Sequence, residues 1–190
     1  MSKRESSLSN LALTLFIIAA VAAIMLALIN LITTGPIQKA QQQKEKDALR
    51  EVLPSFSDLK TFYIPNIDGE DSLKVFEASY NGQIVGYAVS TYTMQGFNGK
   101  IELMVGFDTT LTIINTQVLS HAETPGLGEK ITQSDFKDQF RGKNPEKFKL
   151  SVKKDNGDVD AITASTISSR AFCDAVDRAY RSLKAWKGGE

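Results

Sequence analysis

The stretch "VFEASYNGQIVGYAVSTYT" at residues 75–93 decides the fold of this chain. It is rich in Val, Tyr and Thr, which favour the extended conformation, and it is interrupted by Asn81-Gly82. An Asn-Gly pair readily adopts the positive φ angles of a two-residue hairpin turn. The stretch therefore predicts two antiparallel strands, at 75–80 and 83–93.

The same composition continues beyond this hairpin. Residues 100–107 and 110–120 are rich in Val, Ile, Phe and Thr, and they follow Asn98-Gly99 and Asp108-Thr109. Because connections this short join antiparallel strands, we predict one antiparallel sheet, with Asn98-Gly99 supplying positive φ angles as in the first turn. Two shorter candidate strands lie at 61–64 and 148–152.

Two helices are predicted to flank the sheet. A short one is expected at 134–140, and a longer one at 166–185, where apolar residues recur at three- and four-residue spacing. That apolar stripe is expected to pack on the sheet. The fold class is then α+β, with a twisted antiparallel sheet flanked by helices, over residues 54–190. The stripe consists of Ile167, Ala171, Phe172, Ala175, Val176, Ala179, Tyr180 and Leu183.

An uncharged stretch, "LALTLFIIAAVAAIMLALINLI" at 11–32, precedes this domain. As a helix it spans about 33 Å, slightly more than the roughly 30 Å of a bilayer's hydrocarbon core. The alternative is a cleaved signal peptide, whose apolar region is shorter, about 7 to 15 residues, and is followed by a small-residue cleavage site that is not evident here. We therefore predict an uncleaved transmembrane helix after a short amino-terminal tail at 1–10.

Residues 33–53 are predicted to continue as a helical stalk. The segment 37–52 is polar and contains neither Gly nor Pro, and Pro54 is expected to end the helix. Basic residues flank both ends of the span, and a large following domain translocates largely regardless of them, so the charges leave the orientation in the membrane open. These residues are Lys3 and Arg4 on one side and Lys39, Lys44, Lys46 and Arg50 on the other.

Composition narrows the class of function. The chain of 190 residues carries 22 basic and 22 acidic residues, interspersed, so no basic surface for nucleic acid stands out. One cysteine, Cys173, and one histidine, His121, cannot form the Cys/His cluster of a zinc site, and a lone cysteine forms no disulfide within the chain. We predict neither a metal site nor nucleic-acid binding.

Five hydroxyl residues cluster where the last helix is predicted to begin. A helix start presents unpaired N–H groups and the positive end of the helix dipole, so it favours an anion such as phosphate. The alternative is ordinary capping, which Ser and Thr also favour. No Walker A or G-x-G-x-x-G motif is present, and the residues alone leave both interpretations open. The five are Thr163, Ser165, Thr166, Ser168 and Ser169.

Two motifs carry a resemblance to a known family. "DAITASTIS" at 160–168 resembles the D-x-x-(S/T)-G-A-T-x-(S/T) motif of the FMN-binding domain family, and "ETPGLG" at 123–128 resembles that family's second signature. The resemblance implies FMN joined through its phosphate to the hydroxyl of Thr166. Ala164 and Ser165 depart from the motif, which commonly has glycine and alanine there.

The resemblance also implies which residues surround the cofactor. Thr124 and Leu127 are expected to contact the flavin ring, and the glycines of the same loop to allow close approach. No catalytic residue is expected, because the flavin carries the redox chemistry. Asp160 and Thr163 are expected either to fix the turn or to be recognised by the modifying enzyme. The implied cofactor-binding residues are Thr163, Ala164, Ser165, Ser168, Glu123, Thr124, Gly126, Leu127 and Gly128.

In length and in its single span, the chain is most similar to family members that belong to Rnf (Rsx) electron transport complexes. The resemblance implies electron relay between ferredoxin and NAD, coupled to ion movement. It implies the other membrane and redox subunits as partners, a flavin transferase during maturation, and a domain on the periplasmic side of a bacterial inner membrane. The alternatives are a membrane-tethered flavin reductase and a non-redox structural subunit.

Overall fold

The computed structural model describes residues 8–69 and 71–189, and its centre is a five-stranded antiparallel sheet in the order β1-β2-β3-β4-β5. Three helices accompany it, with short 3-10 segments at Gly128–Thr132 and Lys153–Asp155. This architecture confirms the predicted α+β fold class. The strands are β1 Asp58–Pro65, β2 Ser72–Tyr80, β3 Gln83–Gly96, β4 Gly99–Phe107 and β5 Ile113–Ser120, and the helices are α1 Leu8–Val52, α2 Ser134–Lys137 and α3 Thr166–Gly188.

The two Asn-Gly pairs form different turns. Asn81 and Gly82 both have positive φ, 52° and 78°, as the predicted two-residue turn requires. In the second hairpin Gly96 pairs with Gly99, and only Gly99 has a positive φ. The prediction for this turn was wrong by one residue, because Gly99 serves as the left-handed residue after the turn and Phe97 enters the loop.

One face of the sheet is covered by α3. Its stripe packs against buried side chains such as Val89, Leu103 and Val105, in a core that also contains Phe136 and Phe140. The stripe prediction is confirmed for seven of its eight residues, which are all buried. It was wrong for Ile167, whose side chain is 47% exposed because it lines an open pocket instead of packing in the core.

The other face is covered by the end of α1. Leu49 and Val52 pack with Phe76 and Met104 in a second buried cluster. A Cβ on Gly106 would lie only 1.8 Å from the carbonyl oxygen of Val52, so this contact requires glycine. The central strands β2 to β4 therefore have buried residues on both faces, although the connections are those of an antiparallel meander.

The end of α1 is also fixed by polar bonds. Asn115 Nδ2 donates to the carbonyl oxygen of Glu51 at 3.0 Å, which satisfies one of the unpaired carbonyls at the helix end. Glu45 forms an ion pair with Lys74 of β2 at 2.8 Å. The helix ends at Val52, as expected two residues before Pro54.

Two smaller predictions differ from the structure. The predicted strand at 148–152 is absent from the described residues apart from a single bridge between Val152 and Val159. Its backbone bonds locally instead, since the Lys149 N–H donates to the Asp158 carboxylate at 2.7 Å. The predicted helix at 134–140 is shorter, Ser134–Lys137, and continues as turns.

The amino-terminal part of α1 is long and apolar enough to cross a membrane, with a mean hydropathy of 2.9 over its most apolar window. This property fits a single-pass membrane protein. The chain divides into two compact units, residues 1–43 and 44–190. Residues 1–7 of the predicted tail lie outside the described residues, as do Glu70 and Glu190.

The Gly106 contact makes a stability prediction. We expect Gly106→Ala to lower the free energy of unfolding by about 1–3 kcal/mol, because the new methyl group forces Val52 away from the sheet. Thermal unfolding of the detergent-solubilised chain measures the effect. Gly188→Ala is the control, since a Cβ there meets nothing within 4 Å. Equal unfolding temperatures for the two variants would contradict the packing described.

Candidate functional site

A pocket of about 340 Å³ lies at the start of α3. It brings together the two motifs, 123–128 and 160–168, and adds the turn between β3 and β4. Its size is within the range of small-molecule sites. The lining residues are Phe97, Glu123, Thr124, Leu127, Gly128, Ala164, Ser165, Thr166, Ile167 and Ser168.

The loop after β5 forms one wall of the pocket. The Leu127 N–H donates to the carbonyl oxygen of Thr124 at 3.2 Å, with Pro125 and Gly126 between them. Gly126 has φ of 72°, as the third residue of such a turn requires. The turn leaves the Leu127 side chain 42% exposed at the pocket.

Glu123 belongs to the same loop, and its side chain is buried, with only 5% of the residue exposed. One carboxylate oxygen accepts a hydrogen bond from the Asn98 N–H at 3.2 Å, and the other accepts from the Ser168 hydroxyl. A Cβ on Gly128 would lie 2.5 Å from Glu123 Oε2 and 2.7 Å from Ser168 Oγ. Gly128 therefore allows the chain to pass close to this buried carboxylate.

The opposite wall begins with a tight turn at residues 162–165. The Ser165 N–H donates to the carbonyl oxygen of Ile162 at 3.0 Å, and Ala164 between them has φ of 62°. Ser169 of α3 stabilises this turn with two hydrogen bonds. Its Oγ accepts from the Ile162 N–H and donates to the Ser165 carbonyl oxygen, each at 3.0 Å. The turn thus explains a glycine preference at position 164, because a left-handed backbone is costly with a side chain.

Three of the five clustered hydroxyls are used inside the protein. Ser165 Oγ donates to Ser168 Oγ at 2.8 Å, Ser168 donates to Glu123, and Ser169 holds the turn. All three serines are buried. They therefore build the wall that carries Thr166.

Thr166 is the first residue of α3, and its side chain lines the pocket. Within the described part of the chain, its hydroxyl has no hydrogen-bond partner. The amide groups of 166–168 likewise have no backbone acceptor among residues 8–69 and 71–189, as expected for the first turn of a helix. Ser165 makes no side-chain cap bond, so these donors face the pocket end of the helix without a protein acceptor.

The structure does not bring every predicted residue into the pocket. Thr163 is exposed and Gly126 lies in the turn, and neither lines the cavity. Asp160 is also exposed and forms an ion pair with Lys153 at 2.8 Å. Asp160 and Thr163 therefore lie on the outer surface beside the pocket.

Charged groups outside the pocket pair with each other. Arg170 donates two hydrogen bonds to Asp155, at 2.7 and 2.8 Å. These bonds lower the pKa of the Asp155 carboxyl and raise the pKa of the Arg170 guanidinium. Cys173 is buried in the core, and burial raises the pKa of its thiol to about 12, so it is protonated and unreactive at neutral pH.

Two lining residues are not evident from the sequence motifs. Phe97 is 64% exposed at the tip of the β3–β4 hairpin, and Ile167 faces the pocket from the first turn of α3. Both are large apolar side chains at a pocket mouth. An aromatic residue immediately before an Asn-Gly pair was the only signal for Phe97.

Comparison with known families gives two matches. Residues 96–181 match the FMN-binding domain, and residues 1–52 match the RnfG N-terminal region. The first of these ranges contains every residue that lines the pocket.

Several relatives are similar over nearly the whole chain. The G subunit of the Na(+)-translocating ferredoxin:NAD(+) oxidoreductase complex of Acetobacterium woodii is 33% identical over 92% of this chain and 92% of its own. The G subunit of the ion-translocating oxidoreductase complex of Methanosarcina acetivorans is 34% identical over 97% of this chain and 98% of its own length. The corresponding subunit of Aliivibrio fischeri is 35% identical over 90% of this chain and 87% of its own length.

Among solved structures, Shewanella oneidensis NqrC is 20% identical and aligns with a TM-score of 0.47 over 72% of this chain and 73% of that one. The sequence relationships are much stronger, since they extend over both the amino-terminal region and the pocket. The chain therefore belongs to the family of G subunits of ion-translocating oxidoreductase complexes and contains an FMN-binding domain.

Proposed function

We propose that this protein is the electron-carrying flavoprotein subunit of an ion-translocating ferredoxin:NAD oxidoreductase (Rnf) complex, with FMN attached through its phosphate to Thr166. The observation that carries the proposal is the position of Thr166. Thr166 lines the pocket at the unpaired start of α3, and its hydroxyl has no competing partner in the described chain.

The start of α3 suits the phosphate. The amide groups of 166–168 supply donors, and the helix dipole favours negative charge at this end. A phosphoester at Thr166 keeps the phosphate beside these donors. A flavin transferase that moves FMN from FAD to the Thr166 oxygen releases AMP, so the new bond replaces the pyrophosphate bond of FAD.

The remainder of the pocket suits the flavin ring. Phe97, Leu127 and Ile167 offer apolar surface, which favours a flat aromatic ring, and Thr124 adds one polar group. When bound, the flavin supplies the redox chemistry, while these residues orient the ring and exclude water from it. The chain then acts as an electron relay and needs no acid or base of its own.

The proposed organisation follows from the same assignment. Residues 11–32 span the membrane, 33–53 form the stalk, and 54–190 form the FMN-binding domain on the periplasmic side of a bacterial inner membrane. The other Rnf subunits are the proposed partners. The apolar amino-terminal helix and the similarity to G subunits of these complexes support this arrangement.

Covalent attachment is tested by removing the Thr166 hydroxyl. The wild-type chain, produced in a host with the transferase, is expected to carry FMN less one water in an intact-mass spectrum and to keep flavin fluorescence after denaturation. Thr166→Ala abolishes both signals, because no oxygen remains to form the ester. Thr61→Ala is the matched control and keeps them, since Thr61 is an exposed residue of β1 and does not line the pocket. Covalent flavin on Thr166→Ala would refute the site.

The same wild-type protein also tests the two alternative functions, a non-redox structural subunit and a flavin reductase. A colourless wild-type protein from that host favours a non-redox structural subunit. Rapid reduction of the purified flavoprotein by NADH without other subunits favours a flavin reductase.

The strained turn gives a second prediction. Ala164→Gly is expected to stabilise the fold by about 0.5–1 kcal/mol, because glycine adopts φ near 62° without the left-handed penalty but loses more freedom on folding. Thermal unfolding checks this value. Ala122→Gly, in an exposed loop without positive φ, is expected to be neutral or destabilising. A destabilised Ala164→Gly variant would show that the turn is not strained.

Orientation is tested with a carboxy-terminal reporter. Alkaline phosphatase fused after Glu190 folds only in an oxidising compartment, so it is expected to be active in intact cells. Green fluorescent protein fused at the same point is the control and is expected to stay dark. Bright fluorescence with an inactive phosphatase would reverse the proposed topology.

A further inference from the structure

The buried carboxylate of Glu123 receives hydrogen bonds from two separate parts of the fold. The Asn98 N–H of the β3–β4 turn donates to one oxygen at 3.2 Å, and the Ser168 hydroxyl of α3 donates to the other. Glu123 itself belongs to the loop after β5. One side chain therefore joins three walls of the pocket, and burial makes each of these bonds costly to lose.

These bonds fix the donor and acceptor roles in a series of hydrogen bonds that runs from Ser165 through Ser168 to Glu123. A carboxylate only accepts hydrogen bonds, so Ser168 gives its single proton to Glu123. Ser168 Oγ is then left to accept, and Ser165 gives its own proton to it at 2.8 Å. Ser165, which lines the pocket, consequently has no proton left for a ligand.

We propose that Glu123 is a positioning residue that acts through Ser168 and Ser165, so that Ser165 presents a hydrogen-bond acceptor to an N–H group of the flavin ring. This inference rests on the proposed flavin site. The phosphate offers only acceptor oxygens, so Ser165 is not one of its ligands, and the phosphate takes its donors from the amides of 166–168. The hydroxyl cluster is thereby divided between two ends of the cofactor.

Replacing Glu123 with glutamine reverses the donor and acceptor roles in this series of hydrogen bonds. An amide has one acceptor oxygen and one donor group. If the amide oxygen keeps the Asn98 bond, its NH₂ group donates to Ser168, which then donates to Ser165. Ser165 is left with a free proton, so the acceptor at the pocket becomes a donor.

The experiment compares flavin-loaded, detergent-solubilised full chains. Glu123→Gln and Ser165→Ala are each expected to shift the visible absorption bands of the flavin and its midpoint potential. The double variant is expected to match Ser165→Ala alone, because Glu123 acts on the flavin only through the Ser165 hydroxyl. Glu51→Gln is the matched control, since it makes the same replacement at an exposed position of α1 that does not line the pocket, and it is expected to leave both readouts unchanged.

Ser165→Ala is expected to remain loaded, because alanine is common at this position of the family motif. If Glu123→Gln fails to fold or to carry flavin, Ser168→Ala takes its place in the comparison, because it interrupts the same series of hydrogen bonds. A stability change alone moves the unfolding temperature but does not produce the dependence on Ser165.

Two results overturn the inference. One is a Ser165→Ala flavoprotein with the wild-type spectrum and potential. The other is a double variant in which the two single shifts add, which would mean that Glu123 acts on the flavin by another route. A wild-type chain that carries no flavin sinks the proposed function itself, so the two failures are distinguishable.

Discussion

The packing of α3 on the sheet is the constraint on which the rest of the structure depends. Alanines at 171, 175 and 179 place small side chains at every fourth position, and all three are fully buried. Polar bonds add to this contact, since Thr91 Oγ1 of β3 donates to the carbonyl oxygen of Ala175 at 3.1 Å. A helix held along its length also has a fixed first turn, which sets the position of Thr166 at the pocket.

Two glycines allow the other segments to approach this centre. Gly106 lets the end of α1 reach one face of the sheet, and Gly128 lets the loop after β5 pass over the buried Glu123. In both cases a Cβ would overlap another protein atom. Glycine in the 123–128 motif is expected to let the flavin approach, and at Gly128 the missing side chain also leaves room for Glu123 and Ser168.

The regular parts of the fold were predictable because their signals are periodic. The hairpin around Asn81-Gly82 and the buried stripe of α3 follow from spacing alone. The strand predicted at 148–152 was wrong because the composition there suits a strand, whereas the Lys149 N–H donates to the side chain of Asp158 in a neighbouring loop. The stripe prediction failed at Ile167 because this residue continues the spacing but lines the pocket instead of the core.

The candidate site was predictable only in part. Motif resemblance indicated Thr166 and the 123–128 loop, and the structure brings both to one pocket. It did not indicate Phe97, which enters through a hairpin far away in the chain, nor the chain of bonds from Ser165 to Glu123. Contacts of this kind depend on the tertiary fold, so spacing in the sequence carries no signal for them.

The left-handed turn at Ala164 and the bonds around it have a consequence for biogenesis. The bonds of Ser169 to Ile162 and Ser165, and the bond of the Ser165 N–H to the Ile162 carbonyl, join protein atoms to one another. The turn can therefore form as soon as α3 docks on the sheet. In the proposed maturation, the modifying enzyme would then meet a folded surface on which Thr166 is already displayed, rather than an unfolded peptide.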